Sequence, residues 1–261
     1  MNKYTVDLSK LELVTNPIYF PLYIEETRYL VLVGGGGSGK SVFAAQKIIY
    51  RMLAEPTAKH RILVVRKVAK TLRESVFALL KGIISDWGFA NLFEYNKSDM
   101  TITCKNGNQI LMAGLDDVEK LKSIYNVTSI WIEEASELEP EDYRQLDIRL
   151  RGETISYKQM LFSFNPISIT HWLKGEFFDV RKHGSLTLHT TYKDNKFLDK
   201  EAIAVLEAFR ETDPYYYQVY GLGERGVLGK TIFNAQKVTD RLVQLRNRKF
   251  KTGYFEYSYL N

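Results

Sequence analysis

The sequence predicts an α/β fold with a mostly parallel central sheet flanked by helices, and three observations carry that expectation. Short apolar runs of strand length recur at Tyr29–Val33, Arg61–Val65, Thr128–Ile132 and Lys158–Ser163, with helical or irregular stretches between them. The first run passes directly into a glycine-rich turn and then into a helical stretch opening at Lys40. The run ending at Ile132 is followed at once by two acids, Glu133 and Glu134. Strands alternating with helices build a parallel sheet, because each crossover helix must lie on a sheet face.

Taken in order, residues 11–23 hold Pro17, Pro21 and three aromatics, which predicts an ordered, irregular lead-in rather than a helix. Tyr29–Val33 is the first strand, and a helix follows from about Lys40 to Tyr50. Arg61–Val65 is a buried strand. Residues 70–85 place Leu72, Val76, Leu79, Leu80 and Ile83 at helical spacing. Met100–Cys104 and Gln109–Ala113 flank Asn106-Gly107, a hairpin signal. Thr128–Ile132, Lys158–Ser163 and Ser185–Thr190 supply further strands. Asp199 caps a helix over 200–211 whose apolar face is Ala202, Val205, Leu206 and Phe209, and Asp213-Pro214 ends it. Gly221, Gly223, Gly226 and Gly229 then read as a linker or hinge. A polar, basic stretch and one strand-like run, Tyr254–Tyr259, complete the chain. The expected division is a main domain over 1–225, with 1–28 as its lead-in, and a linker region over 226–261.

Composition narrows the classes. The 261 residues are 45% hydrophobic, enough for a sizeable core. No apolar stretch reaches membrane-spanning length and the first residues lack a signal-peptide core, so a cytosolic protein with no membrane partner is expected. The single cysteine, Cys104, forbids an intrachain disulfide and suits a small buried hydrophobe. The four histidines show no metal-ligand spacing, so no structural zinc is expected. A net charge of +5 admits an anionic partner such as nucleic acid without pointing to one.

Residues Gly34, Gly35, Gly36, Gly37, Ser38, Gly39, Lys40 and Ser41 match G-x-x-x-x-G-K-[ST] between a strand and a helix, the context the pattern requires. Glycines let backbone N–H groups turn inward onto phosphate oxygens, and the helix that follows presents its positive end to the same charge. Lys40 reaches the β- and γ-phosphates, and the Ser41 hydroxyl ligates Mg²⁺. The chain therefore reads as a P-loop NTPase that takes ATP and Mg²⁺. Hydrolysis also needs a metal-holding carboxylate and a group that orients water. Glu133 is assigned to the metal and Glu134 to polarising the water, with Lys40, Glu133 and Glu134 as the catalytic set; the plain alternative is two solvated acids at a strand end. An acid pair on its own strand favours the RecA-like (ASCE) subclass, by analogy, in which another strand lies between the two motifs. Ser163 and Asn165 end a further strand whose tip points to the nucleotide edge. They are candidates for coupling γ-phosphate loss to movement, against the alternative of a simple Asn-Pro turn.

These residues resemble the ATPase domain of the large terminase subunit of tailed bacteriophages, most of all its PBSX-type group. The resemblance rests on Asn16-Pro17 with Pro21-Leu22, on Gly34–Ser41, on Val65-Arg66-Lys67 with Leu72-Arg73-Glu74-Ser75, and on Ile132-Glu133-Glu134-Ala135. Phe164-Asn165-Pro166, His171-Trp172, Thr190–Asn195 and Gly221, Gly229 and Phe233 extend it in order. It implies a motor that hydrolyses ATP to move viral double-stranded DNA into a procapsid. The implied partners are a small terminase subunit, a portal protein and further copies of the chain in a ring. The implied place is the host bacterial cytoplasm, transiently at the procapsid portal. Pro17 and Tyr19 would then line an adenine slot, unless the lead-in merely packs. Two departures stand out. Many relatives carry an arginine at the position of Gly36, so the transition-state cation must come from elsewhere, with Arg66, Arg73, Arg149 and Arg151 as candidates, in cis or from a neighbouring subunit. Full-length relatives continue into a nuclease domain, of which only a first strand with Glu256 would be present, so no nuclease activity is expected. A helicase-like motor, and a nucleotide-binding assembly module without turnover, are the alternative readings.

Overall fold

The computed structural model describes residues 5–166, 170–180 and 182–225. The chain divides into two units, Met1–Gly226 and Val227–Asn261. The polar run 236–251, the strand expected at Tyr254–Tyr259, and Gly226, Gly229, Phe233 and Glu256 lie outside the described residues.

Eight strands form one sheet: β1 (Tyr29–Gly34), β2 (Arg61–Arg66), β3 (Phe93–Asn96), β4 (Thr101–Cys104), β5 (Gln109–Gly114), β6 (Ser129–Glu133), β7 (Gln159–Phe164) and β8 (Ser185–Thr190). Their order is β3-β4-β5-β2-β6-β7-β1-β8. The run from β5 to β8 is parallel throughout, and the β3–β4 hairpin adds an antiparallel edge. The mostly parallel sheet expected from the sequence is therefore present. β7 lies between β1 and β6, so a strand does separate the glycine turn from the acid pair.

Alternation along each central strand feeds two cores. Leu30, Leu32, Ile62, Val64 and Trp131 face helices α1 (Lys40–Ala54) and α2 (Ala78–Asp86). Val31, Val33, Leu63, Val65, Ile130 and Ile132 face the other way, onto Tyr143 and Leu146 of α3 (Pro140–Arg149) and onto Phe177. Burial on both faces explains why these strands read as unbroken apolar runs. Parallel register also places Gly34, Arg66, Glu133, Phe164 and Thr190 at one sheet edge, the carboxyl edge where α/β folds bind ligands.

Three segments differ from expectation. The lead-in holds a short α-helix, Leu11–Val14, and a 3₁₀ helix, Pro17–Ile24. Pro17 suits a first turn, where no N–H is needed. The helix end is fastened from afar: Lys47 Nζ, buried on α1, donates to the carbonyls of Leu22 (2.5 Å), Tyr23 (3.1 Å) and Glu25 (2.9 Å). No local pattern announces that contact. The helix expected over 70–85 is interrupted by a π turn, Arg73–Phe77, between Ala69–Leu72 and α2. Gly221 and Gly223 do not behave as a loose hinge; they lie against the glycine turn, as described below. The helix capped by Asp199 is α4 (Lys200–Thr212), where Asp199 accepts from the Ala202 N–H at 2.7 Å.

Candidate active site

The turn after β1 is held from outside by its carbonyls. The oxygens of Gly34 and Gly35 accept from Lys40 Nζ (2.9 and 2.7 Å), and Gly35 also accepts from Ser38 Oγ (2.9 Å). The Gly37 oxygen accepts from Asn195 Nδ2 (2.7 Å), that of Ser38 from the Tyr19 hydroxyl (3.0 Å), and that of Gly39 from Phe43 N–H (2.9 Å). The N–H groups of Gly35 and Gly36 donate to the carbonyls of Thr190 (3.1 Å) and Tyr220 (2.6 Å). With those groups committed to protein, the N–H groups from Gly37 to Ser41 are the donors offered to an anion, at the start of α1. Gly37 (φ 70°) and Gly39 (φ 85°) adopt left-handed backbone, which glycine does without strain.

Gly35 is required for another reason. A Cβ there would sit 2.4 Å from the Gly221 oxygen and 2.5 Å from the Tyr220 oxygen, and one on Gly223 would meet Gly35 N at 2.4 Å. The segment after α4 therefore packs backbone to backbone on the turn. At Gly36 the nearest atom to a Cβ is the Tyr220 oxygen at 3.6 Å, an ordinary contact. Gly35→Ala is expected to cost about 2 kcal/mol, lowering Tm by roughly 4–8 °C, while Gly36→Ala melts with the native chain. Thermal melts of the two variants side by side check this.

Lys40 is buried, and its Nζ also donates to Asn165 Oδ1 at 2.9 Å. Burial pulls its pKa down to about 8, opposed by the charges of Glu134 and Glu133. Glu133 ends β6 and is paired in register with Ser163 on β7. It is 8% exposed, its carboxylate accepts from the Ser163 hydroxyl, and the Ser41 hydroxyl is near enough to favour its charged form. Burial pushes its pKa up; those two hydroxyls, then Arg66 and Lys40, pull it back. Glu134 follows in left-handed backbone, φ 52° and ψ 51°, a conformation costing a non-glycine residue about 1–2 kcal/mol and typical of functional sites. Burial raises its pKa and the neighbouring Glu133 adds to the shift, while Arg66 and Lys40 oppose it. The two acids, Lys40 and Ser41 thus form one electrostatic cluster.

The other expected residues divide. Asn165 sits at the cradle through Lys40. Ser163 does not reach Lys40; its hydroxyl is held inside the sheet between Glu133 and the Trp131 indole. Tyr19 is fully buried and stacked on Phe43 at 4.8 Å, with its hydroxyl on Ser38 and Thr190. It lines a pocket of about 300 Å³ beside Gly39, together with Asn16, Gln46, Trp87 and Phe197. Pro17 is exposed and is not among the pocket's lining residues. Asn16 takes the place next to the turn, donating from Nδ2 to Asn195 Oδ1 at 3.0 Å across 179 positions of sequence. Asn195, Gln46, Trp87 and Phe197 were not expected at the site, because no short-range pattern joins them.

Of the four arginines, Arg66 is brought to the acids. It ends β2 beside β6, and its Nη2 donates to Glu137 Oε1 at 3.3 Å. Arg73 lies in the π turn and donates to the Lys97 carbonyl at 3.4 Å. Arg149 and Arg151 are at the opposite sheet edge, because α3 runs back across the sheet: Arg149 donates to the Leu121 carbonyl, and Gly152 N–H bonds to Val127, ahead of β6. Within one chain these two cannot serve the cradle.

Among the described residues no group of three or more His, Cys, Asp or Glu side chains is arranged to hold a metal. Ser41 and Glu133, near enough for the hydroxyl to favour the charged carboxylate, form a sparse hard-oxygen donor set. That suits Mg²⁺, which keeps several waters and binds through one or two protein oxygens plus phosphates, better than a metal needing a full protein cage.

A profile of the phage terminase large subunit family matches residues 26–224. The PBSX phage terminase large subunit of Bacillus subtilis (strain 168) is 34% identical over 223 residues, covering 78% of this chain and 51% of that protein. The terminase large subunit of Bacillus phage SPP1 is 31% identical over 224 residues, covering 82% and 52%. This chain thus spans about half the length of the curated relatives it matches. Among solved structures, the large terminase of a thermophilic bacteriophage in complex with ADP superposes with a TM-score of 0.64 at 19% identity, covering 83% of this chain and 53% of that one; at that identity the likeness is one of fold.

Proposed function

The chain belongs to the phage terminase large subunit family, and we propose that it is the ATP-hydrolysing motor domain that drives viral double-stranded DNA into a procapsid. The observation that carries the reading is a buried Glu133 at the same sheet end as a lysine-held glycine turn, within electrostatic reach of Lys40. Parallel register brings the end of β6 to the same sheet edge as the turn after β1, although the two are far apart in sequence. A relative of this fold has been crystallised with ADP.

In this reading the N–H groups from Gly37 to Ser41 hold the phosphates, and Lys40 exchanges its carbonyl partners for phosphate oxygens. The 300 Å³ pocket beside Gly39 takes the base, with Tyr19 as a buried wall and Asn16, Gln46, Asp86 and Asn195 among its polar lining. Ser41 and Glu133 hold Mg²⁺, which supplies charge neutralisation on the phosphate oxygens. Glu134, its pKa raised by burial and by Glu133 and its carboxylate so made a stronger base, accepts the proton of the attacking water. Of the four candidate arginines, Arg66 is the one near the acids and, beside Lys40, balances charge that develops there. Asn165, bonded to Lys40, links the cradle to β7 and is the coupling candidate. Double-stranded DNA, a small terminase subunit, a portal and neighbouring copies of the chain are the partners that go with this function, in the host cytoplasm. Among the described residues no helix is long and apolar enough to cross a membrane.

Phosphate release from ATP, followed with and without double-stranded DNA and with Mg²⁺ or a chelator, tests the proposal. Mg²⁺-dependent release that DNA accelerates is expected. ATP binding without release under every condition would instead identify a nucleotide-held assembly module, and separation of a forked duplex without a capsid would identify a helicase-like motor.

A further inference from the structure

We propose that Trp131 and Ser163 are positioning residues that fix the orientation of the Glu133 carboxylate toward Ser41, and so set how tightly the site holds Mg²⁺ with nucleotide. The inference rests on the ATP-binding reading above and adds to it two residues of the sheet interior.

Side chains two apart on a strand share a face, so Trp131 and Glu133 of β6 lie on the same side of the sheet. Parallel register sets Ser163 of β7 directly beside Glu133. All three residues are buried, with Trp131 at 0% and Ser163 at 1% exposure. Trp131 Nε1 lies 2.8 Å from Ser163 Oγ, and Ser163 Oγ bonds to Glu133 Oε2. An indole N–H can only donate, and a serine hydroxyl has a single proton. Ser163 therefore accepts from Trp131 and gives its proton to Glu133, and the direction of both bonds is fixed. A carboxylate so held at Oε2 cannot rotate freely, which fixes the direction in which its other oxygen is offered. Trp131 also packs in the core against α1 and α2, but Phe or Leu there would bring no donor, whereas the indole N–H meets Ser163. Partners of this kind behind a metal-binding carboxylate typically govern metal affinity by about 10–100-fold.

The test is calorimetric titration of ATP-γ-S into the intact chain, at a series of Mg²⁺ concentrations and in chelator, for the native protein, Ser163→Ala and Trp131→Phe. The native chain is expected to bind more tightly with Mg²⁺. In Ser163→Ala the Mg²⁺ concentration for half of that gain rises about tenfold, and in Trp131→Phe by a smaller factor, with binding in chelator unchanged in both. The indole N–H resonance of Trp131, identified by its loss in Trp131→Phe, should move in Ser163→Ala and on adding Mg²⁺ with ATP-γ-S to the native chain. Titrations of both variants that overlay the native curve would overturn the proposal, as would an equal loss of binding in chelator. Ser163→Ala keeps the test decisive if Trp131→Phe folds poorly. A native chain that binds ATP-γ-S no better with Mg²⁺ would overturn the ATP-site reading itself, and this inference with it.

Discussion

Glu134→Gln is expected to leave ATP binding in place and to slow hydrolysis by about 10²- to 10⁴-fold, the usual worth of a positioned general base. The amide is close in size to the carboxylate and cannot take a proton. The phosphate-holding groups are elsewhere, on Gly37–Ser41, so affinity has no reason to fall. Removing one of two adjacent negative charges even relieves repulsion of the triphosphate, and tighter binding is the expected direction. The left-handed backbone at position 134 is kept in the variant, so any strain is common to both proteins. Single-turnover hydrolysis beside equilibrium binding separates the two effects. Native-rate hydrolysis would remove Glu134 from the proton-accepting role.

Lys40→Met is expected to act on binding and chemistry together. Charge-assisted hydrogen bonds contribute about 1.5–3 kcal/mol each, so ATP affinity should fall at least about tenfold and turnover further. Lys40 also has a pH signature. Its pKa in the free protein is lowered to about 8 by burial. Below that pH the ammonium is already charged and binds phosphate directly. Above it, binding must draw a proton from solvent. Affinity of the native chain should therefore decline as pH rises past about 8, by at most about tenfold per unit, with proton uptake on binding. Lys40→Met should bind weakly with no such decline in this window. Titrations in buffers of different ionisation enthalpy measure the uptake; a native affinity that stays flat as pH rises from neutrality to well above the Lys40 pKa would show that the amine is charged throughout.

What could be read ahead of the structure follows from range. The turn Gly34–Ser41 is a contiguous pattern whose residue types are each forced by phosphate chemistry, so its place after β1 was legible. That a strand would lie between β1 and β6 came only by analogy with RecA-like motors, because strand order is set by pairing between distant segments. The partners of those residues were not legible. Ser163 looked like a group facing phosphate, yet cross-strand register commits its hydroxyl to Glu133, and register is a property of two distant segments. Arg149 and Arg151 follow the acids closely in sequence, but ten residues of helix carry the chain back to the far sheet edge. Gly221 and Gly223 carry the composition of a hinge; here glycine instead permits two backbones to touch. In the lead-in, an asparagine rather than the adjoining proline faces the turn, fixed by a second asparagine 179 positions away.

The central claim is that a magnesium-bound triphosphate lies between the glycine turn and the acid pair. A crystal structure of the chain with ATP-γ-S and Mg²⁺ tests it most directly. The expected result has the phosphates inside the turn from Gly37 to Ser41, the metal on Ser41 next to Glu133, and Glu134 facing the terminal phosphate. Phosphates bound outside the turn, or a metal seated away from Glu133 with Lys40 still on its carbonyls, would contradict it.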